Sequence, residues 1–188
     1  MARLPRFPQA IEDGGADHLT PGTILPSVAL PATDGSTIDL AAAEARSVVI
    51  VYPWTGRPGH PDPPAWDIIP GAHGSTPELE GFGDRFTEFT ALGVKLFGLS
   101  RQVTAYHSEL VARLALPFPI LSDAGGAFGE ALRLPTFTTG GAIYLKRLTL
   151  LVFDGAIEKV FYPVRDPAGH AAEVLQGVER GLEGASQP

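Results

Sequence analysis

The chain contains no cysteine. That absence excludes disulfides, thiolate metal sites and thiol catalysis by the chain as it stands, and leaves the redox compartment open. It has no run of Lys or Arg either. The net charge is -7, from 14 basic against 21 acidic side chains. Such a balance lacks the clustered cations that phosphate recognition needs, so nucleic acid is not expected as a principal partner. No stretch approaches the roughly 20 continuous apolar residues of a membrane helix, so no membrane span is expected. The opening Met-Ala-Arg-Leu-Pro-Arg-Phe-Pro lacks the apolar centre of a secretory signal. These absences together predict a cytoplasmic protein. No internal repeat and no second domain are visible.

What is present suits one domain: 188 residues, 44% apolar and 19% charged. Gly (22) and Pro (18) are plentiful, which predicts prominent connecting loops. Residues 1–21 mix Pro, Gly, Asp and single apolar residues without period and read as a partly mobile N-terminal arm. Residues 22–184 read as one domain.

Within it, Ile24–Leu30 and Thr37–Leu40 flank Asp34-Gly35, a two-residue hairpin signal. Residues 41–45 suggest a short helix. The continuous β-branched run Ser47–Tyr52 predicts a strand buried on both faces. Residues 53–74 then hold six prolines and four glycines among 22 positions. Structureless loops of that length are uncommon in compact domains and are often functional. Trp54, Trp66, Ile68 and Ile69 offer apolar surface to tie this one down.

A helix is expected from Ser75, with Thr76 as cap and Pro77 in the first turn. Its stripe is Leu79, Phe82, Phe86, Phe89 and Leu92, and Gly93 ends it. A strand at Val94–Leu99, a helix carrying Val103, Tyr106, Leu110 and Leu114, a strand at Phe118–Leu121 and a helix at Gly126–Leu132 follow. Leu148–Phe153 and Ala156–Phe161 form a hairpin through Asp154-Gly155, and residues 170–182 a closing helix. The order predicts an α/β fold: a central mixed sheet of 48–52, 94–99, 119–121, 148–153 and 156–161, with helices on both faces and an N-terminal β-hairpin.

Ser75 lies where the long loop enters a helix, and a helix start favours an anion. A cysteine there would have a lowered pKa, whereas a serine hydroxyl needs a dedicated base. The stretch Tyr52-Pro53, Thr55, Pro70-Gly71 and Gly74-Ser75-Thr76-Pro77 resembles the active-site segment of peroxiredoxins, close to the bacterioferritin-comigratory branch. Phe118–Asp123 and Lys146–Phe153 resemble two later segments of that family, and the resemblance spans roughly residues 22–180. It implies a thioredoxin-like fold, with Ser75 in the place of the peroxidatic cysteine. Arg147 becomes the catalytic arginine, and Pro53 and Thr55 the family's proline and threonine. The loop before Ser75 is much longer than the compact Pro-x-x-x-Thr-x-x-Cys of most members. Glu80 stands where that branch often carries a resolving cysteine, which implies a one-Cys mechanism.

The implied activity is reduction of hydrogen peroxide or small organic hydroperoxides, with an external thiol reductant (thioredoxin-like or of low molecular weight) and no metal or organic cofactor. A homodimer is compatible with the apolar loop. With serine at 75 the chain itself is expected to be inactive. An engineered Cys→Ser change is favoured over a naturally cysteine-free relative, since serine is nearly isosteric and the surrounding motif is intact.

Other readings compete. Arg147, beside Lys146, reads equally well as a surface arginine of a strand. His60, His73, Asp62 and Asp67 match no rigid metal-ligand spacing. A hydrolase triad of Ser75, His73 and an Asp lacks the Gly-x-Ser-x-Gly elbow. The alternative function is a non-catalytic thioredoxin-fold protein that binds a partner or senses a ligand through the Trp54–Trp66 loop.

Overall fold

The computed structural model describes residues 7–185. The first six residues of the expected arm lie outside the described residues.

Strand β3 (Ser47–Val51) is the axis of the molecule, and all five of its residues are buried. It pairs in parallel with β4 (Lys95–Ser100) and antiparallel with β8 (Leu148–Phe153). Strand β5 (Ile120–Ser122) adds in parallel beyond β4, and β9 (Ala156–Phe161) antiparallel beyond β8. The five-stranded order is β5-β4-β3-β8-β9. Side chains of a strand alternate between faces, so the β3 run feeds two cores. Val48 and Ile50 join α1 (Ser75–Asp84), α2 (Phe86–Ala91), α3 (Thr104–Leu114) and α5 (His170–Ala185), through Leu79, Phe82, Phe89, Leu110 and Val174. Val49 and Val51 face the opposite layer, where Phe128 of α4 (Ala127–Ala131) packs with Leu25, Leu30 and Leu40. Helices therefore lie on both faces of a mixed sheet, as expected.

Four details differ from the sequence reading. The N-terminal hairpin forms, but its strands β1 (Leu30–Pro31) and β2 (Thr37–Ile38) are two residues each. The expected helix at 41–45 is a single 3-10 turn, Leu40–Ala42, held by the Asp39 carboxylate accepting from Ala41 N–H at 2.9 Å. The long helix from Ser75 breaks at Arg85 (φ -101°, ψ 9°) into α1 and α2, just after the weak helix formers Gly81 and Gly83. A further hairpin, β6 (Thr136–Thr139) and β7 (Ala142–Leu145), turns through Gly140 and Gly141, both at positive φ. Positive φ at both turn positions is what a tight hairpin requires. Before these strands, Ala16 and Leu19 of the expected arm are buried in the core.

Candidate active site

The 22-residue stretch after β3 is anchored by tryptophan. Trp66 is buried and meets Trp54 edge-on at 5.5 Å between ring centroids. It also packs on Phe137 (5.6 Å) and Tyr144 (5.1 Å) of the β6–β7 hairpin. Thr139 donates its hydroxyl proton to the Pro64 carbonyl, pinning the loop a second time. Ile68 contributes nothing to this: it is 74% exposed, against expectation. The single-turn helix Trp66–Ile68 places only the first of its residues inward.

This anchored loop and the start of α1 enclose a cleft of about 190 Å³, lined among others by Trp54, Thr55, Asp62, Trp66, His73 and Ser75. Ser75 is the first residue of α1 and is buried. The expected cap, Thr76, is displaced from that role. Gly74 is the N-cap, at φ +108°, and no side chain among the described residues caps the helix. A Cβ at Gly74 would stand 2.7 Å from Pro167 Cγ. Gly74→Ala is therefore expected to lower stability by about 1–3 kcal/mol, the usual cost of a strained left-handed residue, measurable by urea denaturation.

Arg147 comes up to Ser75 from the sheet, just before β8. It is 2% exposed, so it is not a surface arginine. Its Nη2 donates to Ser75 Oγ at 3.0 Å and to the carbonyls of His73 (3.2 Å) and Ala72 (3.3 Å). Its Nη1 donates to the carboxylate of Glu78, which is fully buried. Burial pushes the Glu78 carboxyl above the usual carboxylate range, and the Arg147 and His170 charges oppose that push. The guanidinium is thus locked to the serine. No motif in the sequence marks Glu78, although a carboxylate three positions after Ser75 shares its helix face.

Thr55 is buried across the cleft and is held by Gln102. Thr55 N–H and Oγ1–H both donate to Gln102 Oε1, at 3.1 and 3.2 Å. Gln102 Nε2 donates to the Thr55 carbonyl at 3.1 Å, and Tyr106 OH donates to it at 2.8 Å. Behind Gln102, Ser100 Oγ lies 2.7 Å from Nε2 of the buried His107. Pro53 is buried but does not line the cleft. No sequence signal singled out Gln102, Ser100 or His107, which lie 25 to 52 positions after Thr55 and Ser75 along the chain.

Burial brings the His107 imidazole down to about 4. The unfolded chain takes up this proton near pH 6.5 and the folded chain does not. Stability is therefore complete above pH 6.5 and falls between pH 6.5 and 4, by about 3 kcal/mol if this site acts alone. Urea midpoints across that range should flatten in a folded His107→Phe variant.

His73 does not serve as a base for Ser75. Its Nε2 lies 2.8 Å from Asp67 Oδ1, its ring stacks on Phe7 at 3.6 Å, and no hydrogen bond joins it to Ser75 among the described residues. Asp62 and His73 line the cleft, and with Asp67 they bring potential metal-ligand atoms within 4.8 Å of one another. His60, grouped with them by sequence, is not part of the cluster.

The family profile described as Redoxin matches residues 20–175. A Mycobacterium tuberculosis protein assigned to the peroxiredoxins is 30% identical over 166 residues, covering 84% of this chain and 93% of the relative. This chain belongs to the peroxiredoxins.

Among other peroxiredoxins, the chloroplastic peroxiredoxin Q of Triticum aestivum is 22% identical, over 95% of this chain and 76% of its own. The solved bacterioferritin comigratory protein of Xanthomonas campestris, described for its alkyl peroxide reduction activity, superimposes with a TM-score of 0.69 at 25% identity. That match covers 86% of this chain and 99% of the other. A mutant of the Xylella fastidiosa PrxQ with serine in place of a cysteine gives a TM-score of 0.72 at 22% identity, covering 88% and 98%. The peroxiredoxin fold, thioredoxin-like with a mixed central sheet, is thereby shown for this chain.

Proposed function

We propose that this peroxiredoxin carries a thiol peroxidase's peroxide site from which only the sulfur is missing. The observation that carries the reading is the bond from the buried Arg147 guanidinium to Ser75 Oγ at 3.0 Å, at a helix start. A thiolate at position 75 would have a fixed cation beside it and helix N–H groups ahead of it, the surroundings that lower a thiol pKa. Its sulfur would attack the peroxide oxygen, breaking the O–O bond. The attacked oxygen, with its hydrogen, would stay bonded to the sulfur as sulfenic acid, and the departing oxygen would take up the proton released when the thiol ionised, forming water or an alcohol.

Arg147 would stabilise the thiolate and the charge on the leaving oxygen, Thr55 would face the substrate, and Pro53 would pack beneath. Glu80, exposed on α1, offers no resolving sulfur, so the cycle would be one-Cys, closed by an external thiol. The alkyl peroxide activity attributed to the Xanthomonas relative supports small organic hydroperoxides as substrates. An engineered serine at 75 is the reading that the intact motif around it supports, Gly74-Ser75-Thr76-Pro77. As written the chain is a peroxide binder without turnover. We place it in the cytoplasm; its oligomeric state is left open.

The test is a peroxide assay on the chain and on Ser75→Cys. A second reading, ligand binding without catalysis, has the tryptophan-lined cleft and the serine itself in its favour. It becomes the better account if Ser75→Cys folds yet consumes no peroxide.

A further inference from the structure

Thr55 and Ser75 face one cleft, but their hydroxyls are wired in opposite senses. Ser75 Oγ receives a proton from Arg147. The Thr55 hydroxyl has a single proton, and its direction is decided by Gln102. The amide of Gln102 cannot be reversed. Its Oε1 meets the Thr55 N–H, and its Nε2 meets the Thr55 carbonyl. Exchanging them would set donor against donor and acceptor against acceptor. With Oε1 so fixed, the contact from Thr55 Oγ1 to it at 3.2 Å has one polarity: Thr55 donates. Only oxygen lone pairs remain to be offered to the cleft. Gln102 is itself held, its N–H donating to Ser100 Oγ at 3.2 Å and its carbonyl accepting from Ser122 Oγ at 2.7 Å.

We propose that Gln102 is a positioning residue: by taking the Thr55 proton it makes Thr55 an acceptor, so that the cleft selects peroxides bearing an O–H. This rests on the peroxide-site reading above. A hydroperoxide has one O–H to donate to Thr55 Oγ1, and oxygens to accept from the donors at the Ser75 end. A dialkyl peroxide of similar size has no proton to give and leaves the buried Thr55 lone pair unmet.

Binding and turnover test this separately. On the serine chain, tert-butyl hydroperoxide binding is followed by the fluorescence of Trp54 and Trp66, with di-tert-butyl peroxide as the protonless probe. Gln102→Met is expected to weaken hydroperoxide binding about tenfold, the scale of one buried hydrogen bond. Gln102→Glu keeps the acceptor and should bind more tightly than Gln102→Met. The dialkyl peroxide should bind poorly to every version.

In the Ser75→Cys background, Gln102→Met and Thr55→Val should each slow hydroperoxide reduction about tenfold. The double variant should be no slower than Thr55→Val alone. Alkylation of the introduced thiol by iodoacetamide, which needs no acceptor at Thr55, should keep its rate. Equal hydroperoxide binding by the parent and Gln102→Met, or binding by neither, overturns the proposal. So do multiplicative rate losses, or an alkylation rate that falls in parallel. Gln102-dependent binding in a chain whose Ser75→Cys form is inert would sink the peroxidase reading and leave the role of Gln102 standing.

Discussion

Ser75→Cys is expected to convert a chain with no peroxide turnover into one that consumes hydroperoxide when a dithiol is supplied. The argument begins with ionisation. A free thiol titrates near 8.5, and a helix start with an adjacent cation brings it to about 3.5–7.5, so the thiolate dominates at neutral pH. The Ser75 hydroxyl cannot follow within that shift, and His73, the nearest base along the chain, is turned to Asp67. The second part is redox. Sulfur holds the oxygen it gains as a sulfenic acid that a thiol can reduce, and oxygen has no such cycle.

Arg147 needs no rearrangement to help, since its Nη2 already donates to the position 75 side chain. A preorganised donor of this kind contributes roughly 10²–10³ in rate. Stopped-flow peroxide consumption, with dimedone trapping at position 75, should show a gain from background to a rate limited by the dithiol. Excess peroxide should carry the sulfur on to sulfinic acid, because Glu80 offers no internal thiol to intercept it. A folded variant that neither consumes peroxide nor takes up dimedone would refute the peroxidase reading.

Arg147→Met should cost the most stability of any single change discussed. Arg147 and Glu78 are 2% and 0% exposed, and each is the other's ionic partner. Removing one member of a buried pair strands the other, at a cost of about 3–5 kcal/mol. For a domain of this size that corresponds to a fall in Tm of roughly 10 °C. The loss has a pH signature. Burial already raises the Glu78 carboxyl, with Arg147 opposing it; without the arginine it rises further. The unfolded reference is common to both proteins, so the deficit relative to the parent grows as pH rises through the parent's own raised Glu78 range, where the folded parent releases the proton and the folded variant keeps it. Relative to the parent, Arg147→Met should therefore be least impaired near pH 4 and most impaired near pH 8, by urea titration. Arg147→Met combined with Glu78→Leu should recover much of the loss, because no stranded charge remains. A single Arg147→Met variant as stable as the parent at pH 8 would show that the pair does not carry this load.

The elements read well wherever local pattern and tertiary burial agree. The β-branched run of β3 is buried on both sides, as its composition required, because a central strand has no polar face to show. The Phe and Leu stripe from Leu79 to Phe89 faces the core for the same reason, and it hides the break at Arg85 because both halves keep the stripe. The β6–β7 hairpin had its signal in Gly140-Gly141 between alternating residues, but its half-exposed strands carry no apolar run to draw attention.

The site divides along the same line. Sequence alone determined that position 75 opens a helix after a long loop, that it holds oxygen where the family holds sulfur, and that no thiol exists anywhere in the chain. Those are properties of residue identity and of near neighbours. Only the tertiary structure decided that Arg147 meets Ser75 across 72 positions, that Glu78 sits beneath it, and that Gln102 orients Thr55 from 47 positions away. A hydrogen bond between distant residues leaves no period in the chain. Its geometry exists only once the sheet sets β3, β4 and β8 side by side and brings the ends of those strands to one edge.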